Sequence, residues 1–148
     1  MPDISVGDIS LHVVNRGRGA PLLLVHGFPL DLTMWERQID DLAADHRVIA
    51  PDLRGFGQSG VTAGTVSMQQ MADDLAALLD GLGVAEPVTL CGLSMGGYVG
   101  WQFALRHRQR LAKLIQCDTR AVADSAEAAA GRLKTSEKVL AEGAKVVA

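Results

Sequence analysis

Residues 88–97 read Val88-Thr89-Leu90-Cys91-Gly92-Leu93-Ser94-Met95-Gly96-Gly97, and this stretch decides the fold. An apolar run leads into Gly92-Leu93-Ser94-Met95-Gly96, which fits the pattern G-x-S-x-G. The residues after it, with Tyr98, Val99, Trp101, Phe103 and Leu105, read as a largely buried helix. A strand before the serine and a helix after it is the setting of a nucleophile elbow, a sharp turn that lifts a serine hydroxyl above a sheet. The chemistry requires glycine on both sides. A Cβ at either position would collide with neighbouring backbone in so tight a turn. The helix that follows directs its free N–H groups toward the point where an oxyanion develops.

Working outward, other short apolar runs have the same character. They are Pro21 to His26, Arg47 to Pro51 and Leu111 to Cys117, alongside Pro87 to Cys91. Runs apolar at nearly every position belong to strands buried on both faces, as in parallel sheets. Ile4 to Val6 and Ile9 to Val14 flank Gly7-Asp8, a hairpin signal. Helical patterns lie between the runs. One begins at Thr33, with Glu36 completing a capping box. Another begins at Ser67, follows Met68, Met71, Leu75, Leu78, Leu79 and Leu82, and stops at Gly83. Ala121 to Ala130 and Ser136 to Ala148 also read as helical. This order implies an α/β fold, with a mostly parallel sheet and flanking helices.

The chain has 148 residues, 48% hydrophobic and 21% charged, which suits a globular core. A net charge of −3 gives no reason to expect nucleic acid as a partner. No apolar run is long enough to span a membrane, and no secretory leader is recognisable, so the expected location is cytoplasmic. Cys91 and Cys117 read as buried reduced thiols. No residues have metal-ligand spacing, and no cofactor is expected.

Three motifs together carry a family resemblance: His26-Gly27-Phe28-Pro29, Asp52-Leu53-Arg54-Gly55-Phe56-Gly57-Gln58-Ser59 and Gly92-Leu93-Ser94-Met95-Gly96-Gly97. They closely resemble the α/β-hydrolase fold superfamily, in particular its small esterases and 3-oxoadipate enol-lactonase-like enzymes. Asp118-Thr119-Arg120-Ala121 adds to the likeness. The resemblance implies that Ser94 is the nucleophile. The backbone N–H groups of Met95 and Phe28 would form the oxyanion hole. His26 then orders the oxyanion loop rather than acting as a base. Phe28, Leu30, Met34, Trp35 and Met95 suggest an apolar acyl pocket, though Met34 and Trp35 fit ordinary core packing as well. Leu30 and Trp35 are the candidate substrate-binding residues. Arg54 and Arg120 suit surface or loop-bracing roles better than a substrate carboxylate.

The implied activity is hydrolysis of carboxylic esters or lactones through an acyl-enzyme. Carbon–carbon bond hydrolases and perhydrolases share the serine, and a non-catalytic binding protein is the competing class. A serine at 94 argues against haloalkane dehalogenases, which use a carboxylate there. The family's order is serine, then acid, then histidine. Only His107 follows Ser94, and it lies too far along the helix to serve. Asp118 is a minor candidate for the acid. The family's sheet is also larger than the six strands found here. The expectation is therefore that residues 1–120 form the first part of the core and 121–148 begin a helical lid. A second polypeptide segment would complete the fold and supply acid and histidine.

Overall fold

The computed structural model describes residues 3–147. A single sheet has six strands: β1 (Asp3–Val6), β2 (Ile9–Arg16), β3 (Ala20–Val25), β4 (His46–Pro51), β5 (Val88–Leu93) and β6 (Leu111–Cys117). Their order across the sheet is β1-β2-β4-β3-β5-β6. β1 and β2 form the antiparallel hairpin, and β2 is antiparallel to β4. The β4, β3, β5 and β6 neighbours are all parallel. The helices are α1 (Glu36–Leu42), α2 (Met68–Gly81), α3 (Met95–Arg106) and α4 (Ala126–Glu142). No helix among the described residues is long and apolar enough to cross a membrane.

The continuous apolar runs are explained by packing on both faces. Leu23, Val25 and Ile49 join Leu75, Leu79, Val99 and Phe103 in one core cluster, so α2 and α3 cover that face. Leu22, Leu24, Val48 and Ala50 join Leu32, Trp35 and Ile39 in a second cluster beneath α1. Each fully buried leucine contributes about 1.5–3 kcal/mol of transfer free energy, so alternation between two clusters stabilises both layers.

Two local expectations are corrected. Thr33 does not cap a helix. Asp31 does, accepting the Thr33 N–H at 2.9 Å, and a 3-10 turn over Leu32–Trp35 precedes α1. Asp52 Oδ1 takes the turn's first N–H, that of Leu32, and the Asp31 carboxylate accepts the second, where an N-cap oxygen is placed to bond. At the far end, α4 is one continuous helix. Ser125 caps it, accepting from Ala128 N, and Gly143 ends it at φ 88, a left-handed conformation suited to glycine. Ala121 to Asp124 therefore stay outside the helix, and Val146 lies in a 3-10 turn. None of the α4 residues is buried, and Leu133 and Leu140 are exposed.

Candidate active site

β5 runs directly into α3, and Ser94 is the junction. Its backbone has φ 49 and ψ −109, one of two non-glycine residues with positive φ among the described residues. A serine held there carries strain of order 1–3 kcal/mol, which persists only when the surroundings over-determine it. They do. The Ser94 N–H donates to Cys117 O at 2.9 Å, the last residue of β6. The Ser94 carbonyl accepts from Gly97 N at 3.0 Å and from the Thr119 hydroxyl at 2.9 Å. Gln116 Nε2 donates to Gly97 O at 3.1 Å. A Cβ on Gly92 would overlap Gly96 O and lie 2.8 Å from Gly97 N. A Cβ on Gly96 would overlap Val25 O and lie 2.7 Å from His26 O. The two glycines therefore allow the elbow to close on itself and to seat against the end of β3.

That close approach brings the loop after β3 to the serine. A Cβ at Gly27 would lie 3.4 Å from Ser94 Cβ. Phe28 and Leu30, next in the loop, are exposed, at 49% and 44%. Leu30 N donates to Gly27 O at 2.9 Å, which tightens the loop. Phe56 stands edge-on to His26 and Phe28, with ring centroids at 5.3 and 6.1 Å. Met95 is buried as the first residue of α3, so its backbone sits where the helix presents free N–H groups. Met34 is half-buried, and Trp35 lies inside the second core cluster.

His26 is fully buried and uses both ring nitrogens. Nε2 accepts the Leu53 N–H at 2.9 Å, and Nδ1–H donates to Gly27 O at 3.0 Å. Burial pushes its pKa below the usual histidine value, against smaller opposing effects of Gly27 O, Asp52 and Asp31. A neutral ring with both nitrogens engaged orders the loop and has no free lone pair for Ser94. Nor do the other histidines serve. His12 pairs with Asp3 at 3.0 Å. His46 begins β4, at the end of the parallel sheet opposite the serine. His107 caps the far end of α3 and contacts Asp73 at 2.7 Å. Twelve helical residues separate it from the elbow by about 18 Å. Asp118 follows β6 with φ 43 and is exposed. Arg54 is buried against Asp74 and Asp8, and Arg120 pairs with Asp124.

A cavity of about 450 Å³ lies beside the same loop, lined by Asp31, Leu32, Thr33, Ile39, Asp52 and Gln58 among others. Ser94, Met95 and Phe28 are not in its wall. The elbow's clamp on β6, made by Gln116 and Thr119, was not legible in the sequence. Neither was the part played by Asp52, whose signals were its place after an apolar run and its membership of the motif from Asp52 to Ser59.

The comparisons with known proteins agree with this geometry. The alpha/beta hydrolase fold family matches residues 20–141. A fluoroacetate dehalogenase from a Burkholderia species is 38% identical over 120 residues, covering 78% of this chain and 39% of that protein. Among solved structures, a thermophilic esterase from Thermogutta terrifontis superposes with a TM-score of 0.90 at 51% identity. That match covers 96% of this chain and 54% of the esterase. The enol-lactonase from Burkholderia xenovorans LB400 superposes at 0.88 with 32% identity, covering 98% of this chain and 56% of the lactonase. The chain spans roughly half the length of these proteins. The family match, the six-stranded sheet and the serine at the elbow lead to one conclusion: this chain belongs to the α/β-hydrolase fold family, whose named relatives are hydrolases.

Proposed function

We propose that Ser94 is the nucleophile of a carboxylic-ester or lactone hydrolase. The observation that carries this reading is the serine's strained backbone at the β5–α3 junction, held by Cys117, Thr119 and Gly97. A binding protein has no need to hold a serine in that conformation. The esterase and enol-lactonase neighbours favour acyl chemistry over the dehalogenation named for another relative. In the reaction, Ser94 Oγ attacks the acyl carbon and its proton leaves to a base. The carbonyl oxygen becomes an oxyanion facing the Met95 and Phe28 N–H groups. The C–O bond to the leaving alcohol breaks as that oxygen takes up the proton, and the acyl group stays on Ser94. Water then adds to the acyl carbon and releases the acid, restoring the serine hydroxyl. In a lactone the leaving alkoxide and the acid are parts of one product.

The base and its orienting acid come, in this reading, from a second segment that completes the sheet. The four histidines of this chain are engaged elsewhere or distant, which supports that assignment. α4 would begin a lid over Phe28 and Leu30. Leu30 would line the acyl site at the loop's surface, and Trp35 would support it from the core below.

The test is labelling with a fluorophosphonate probe in the presence of the completing segment. One label per chain on Ser94, lost in Ser94→Ala together with turnover of a short-chain aryl ester, supports the reading. Labelling that survives Ser94→Ala overturns it.

A further inference from the structure

Asp52 follows β4 and is 2% exposed, yet no cation neutralises it among the described residues. A buried carboxylate without a counter-ion is costly unless it accepts strong hydrogen bonds. Its two oxygens accept from two different loops. Oδ1 takes the Leu32 N–H at 2.8 Å, and Oδ2 takes the Gln58 N–H at 2.8 Å. The next residue, Leu53, donates its N–H to His26 Nε2. Consecutive residues at the end of β4 thus grip both ends of the loop that carries Phe28, His26 at its start and Leu32 at its finish. The Leu30–Gly27 hydrogen bond closes the turn between those ends. Gly57 packs directly on the carboxylate, since a Cβ there would overlap Asp52 Oδ2. The Ser59 hydroxyl donates to Asp52 O at 2.7 Å and accepts His12 N–H at 2.9 Å, so the grip is anchored in β2 as well.

We propose that Asp52 is a positioning residue that sets the aim of the Phe28 N–H by holding the 26–32 loop at its Leu32 end. This rests on the reading of Phe28 as an oxyanion donor. A carboxylate suits the task because both of its oxygens accept. An asparagine in the same place offers one acceptor and turns an NH2 group toward a second N–H donor, so one of the two loops loses its partner. The side chain touches no substrate. Its effect falls on the transition state, where the oxyanion is fully developed, rather than on ground-state binding.

Two measurements test this. In the active protein, including the completing segment, Asp52→Asn and Asp52→Ala should lower kcat by about 10²-fold, the cost of misplacing a positioning group by an ångström. KM should stay within about threefold, and affinity for a boronic acid analogue of the tetrahedral intermediate should fall in parallel with kcat. A purely structural role would instead reduce the active fraction, leaving kcat per fluorophosphonate-titrated site unchanged. Normal kcat per titrated site in folded Asp52→Ala overturns the proposal. The second measurement needs no turnover. Amide exchange in Asp52→Ala should accelerate at Leu32 and Leu30 while the β3 amides stay protected. Unchanged exchange at both residues overturns the brace even if the wild type proves inactive. Absent Ser94-dependent turnover with accelerated exchange would instead refute the proposed reaction and leave the brace standing.

Discussion

Ser94 and His26 show two ways in which a single residue is committed by its surroundings. Ser94 occupies a backbone region that serine rarely adopts, and hydrogen bonds from β6, Thr119 and Gly97 keep it there. His26 is kept neutral because burial disfavours its charged form, and both nitrogens already have partners suited to the neutral ring. Its folded pKa lies below the unfolded value of about 6.5, so the unfolded chain binds the extra proton first. His26 therefore contributes its full stability above that value and loses it as pH falls below it. The melting temperature should drop between pH 7.5 and pH 5, and the gap between wild type and His26→Gln should narrow toward the acid end. A gap that stays constant across that range would show that His26 titrates as it does in the unfolded chain. Cys91 is committed in the opposite sense. Burial, with Cys117 at 3.7 Å, pushes its thiol up to about 12, so it stays protonated near neutrality.

At the scale of elements, the hairpin, the loop after β4 and α2 meet at one buried ion cluster. Arg54 makes two bonds to Asp74 on α2, at 2.8 and 2.7 Å, and reaches Asp8 in the β1–β2 turn at 2.9 Å. The pairing holds the Asp8 carboxyl below its ordinary range and pushes Arg54 further up, led by its bonds to Asp74. Removing Asp74 leaves the buried Arg54 with only the exposed Asp8 as counter-charge. Asp74→Ala should cost about 3–5 kcal/mol, read as a lower urea midpoint. The double change Asp74→Leu with Arg54→Met should cost less than Asp74→Ala alone, because no buried charge is stranded. A double variant as unstable as the single one would mean that packing, not charge, sets the loss. The motif containing Arg54 is thus partly a structural clamp, and Asp52, two residues before it, accepts the Leu32 N–H at the end of the 26–32 loop. Asp31, the cap of the 3-10 turn, lies in that loop as well. The hydroxyl and N–H of Thr33 hold its carboxyl below the usual range.

Across the whole molecule, the sheet is closed on one side by the antiparallel hairpin and ends on the other at β6. That strand leaves Ile115 46% exposed, and its outer backbone edge has no partner strand among the described residues. An unpaired apolar edge templates pairing with another chain. Residues 1–148 expressed alone should therefore self-associate, and Ile115→Lys should reduce the effect on size-exclusion chromatography. A monomer at every concentration tested, with no change in Ile115→Lys, would show that the edge is already protected. The strand–helix order, the parallel sheet, the serine at its turn and the loop-ordering part of His26 were all legible in the amino-acid order alone. Those follow from local periodicity, from glycines that only a tight turn requires, and from motif spacing along one segment. The amino-acid order did not reveal the Asp31 cap, the continuity of α4 or the buried Arg54–Asp74 pair. These depend on which segments the fold brings together. Thr119 reaches Ser94 across 25 positions, and Asp52 reaches Leu32 across 20. A hydrogen bond spanning such separations leaves no periodic trace, so it is the folded arrangement that sets which side chains hold the elbow and the 26–32 loop in place.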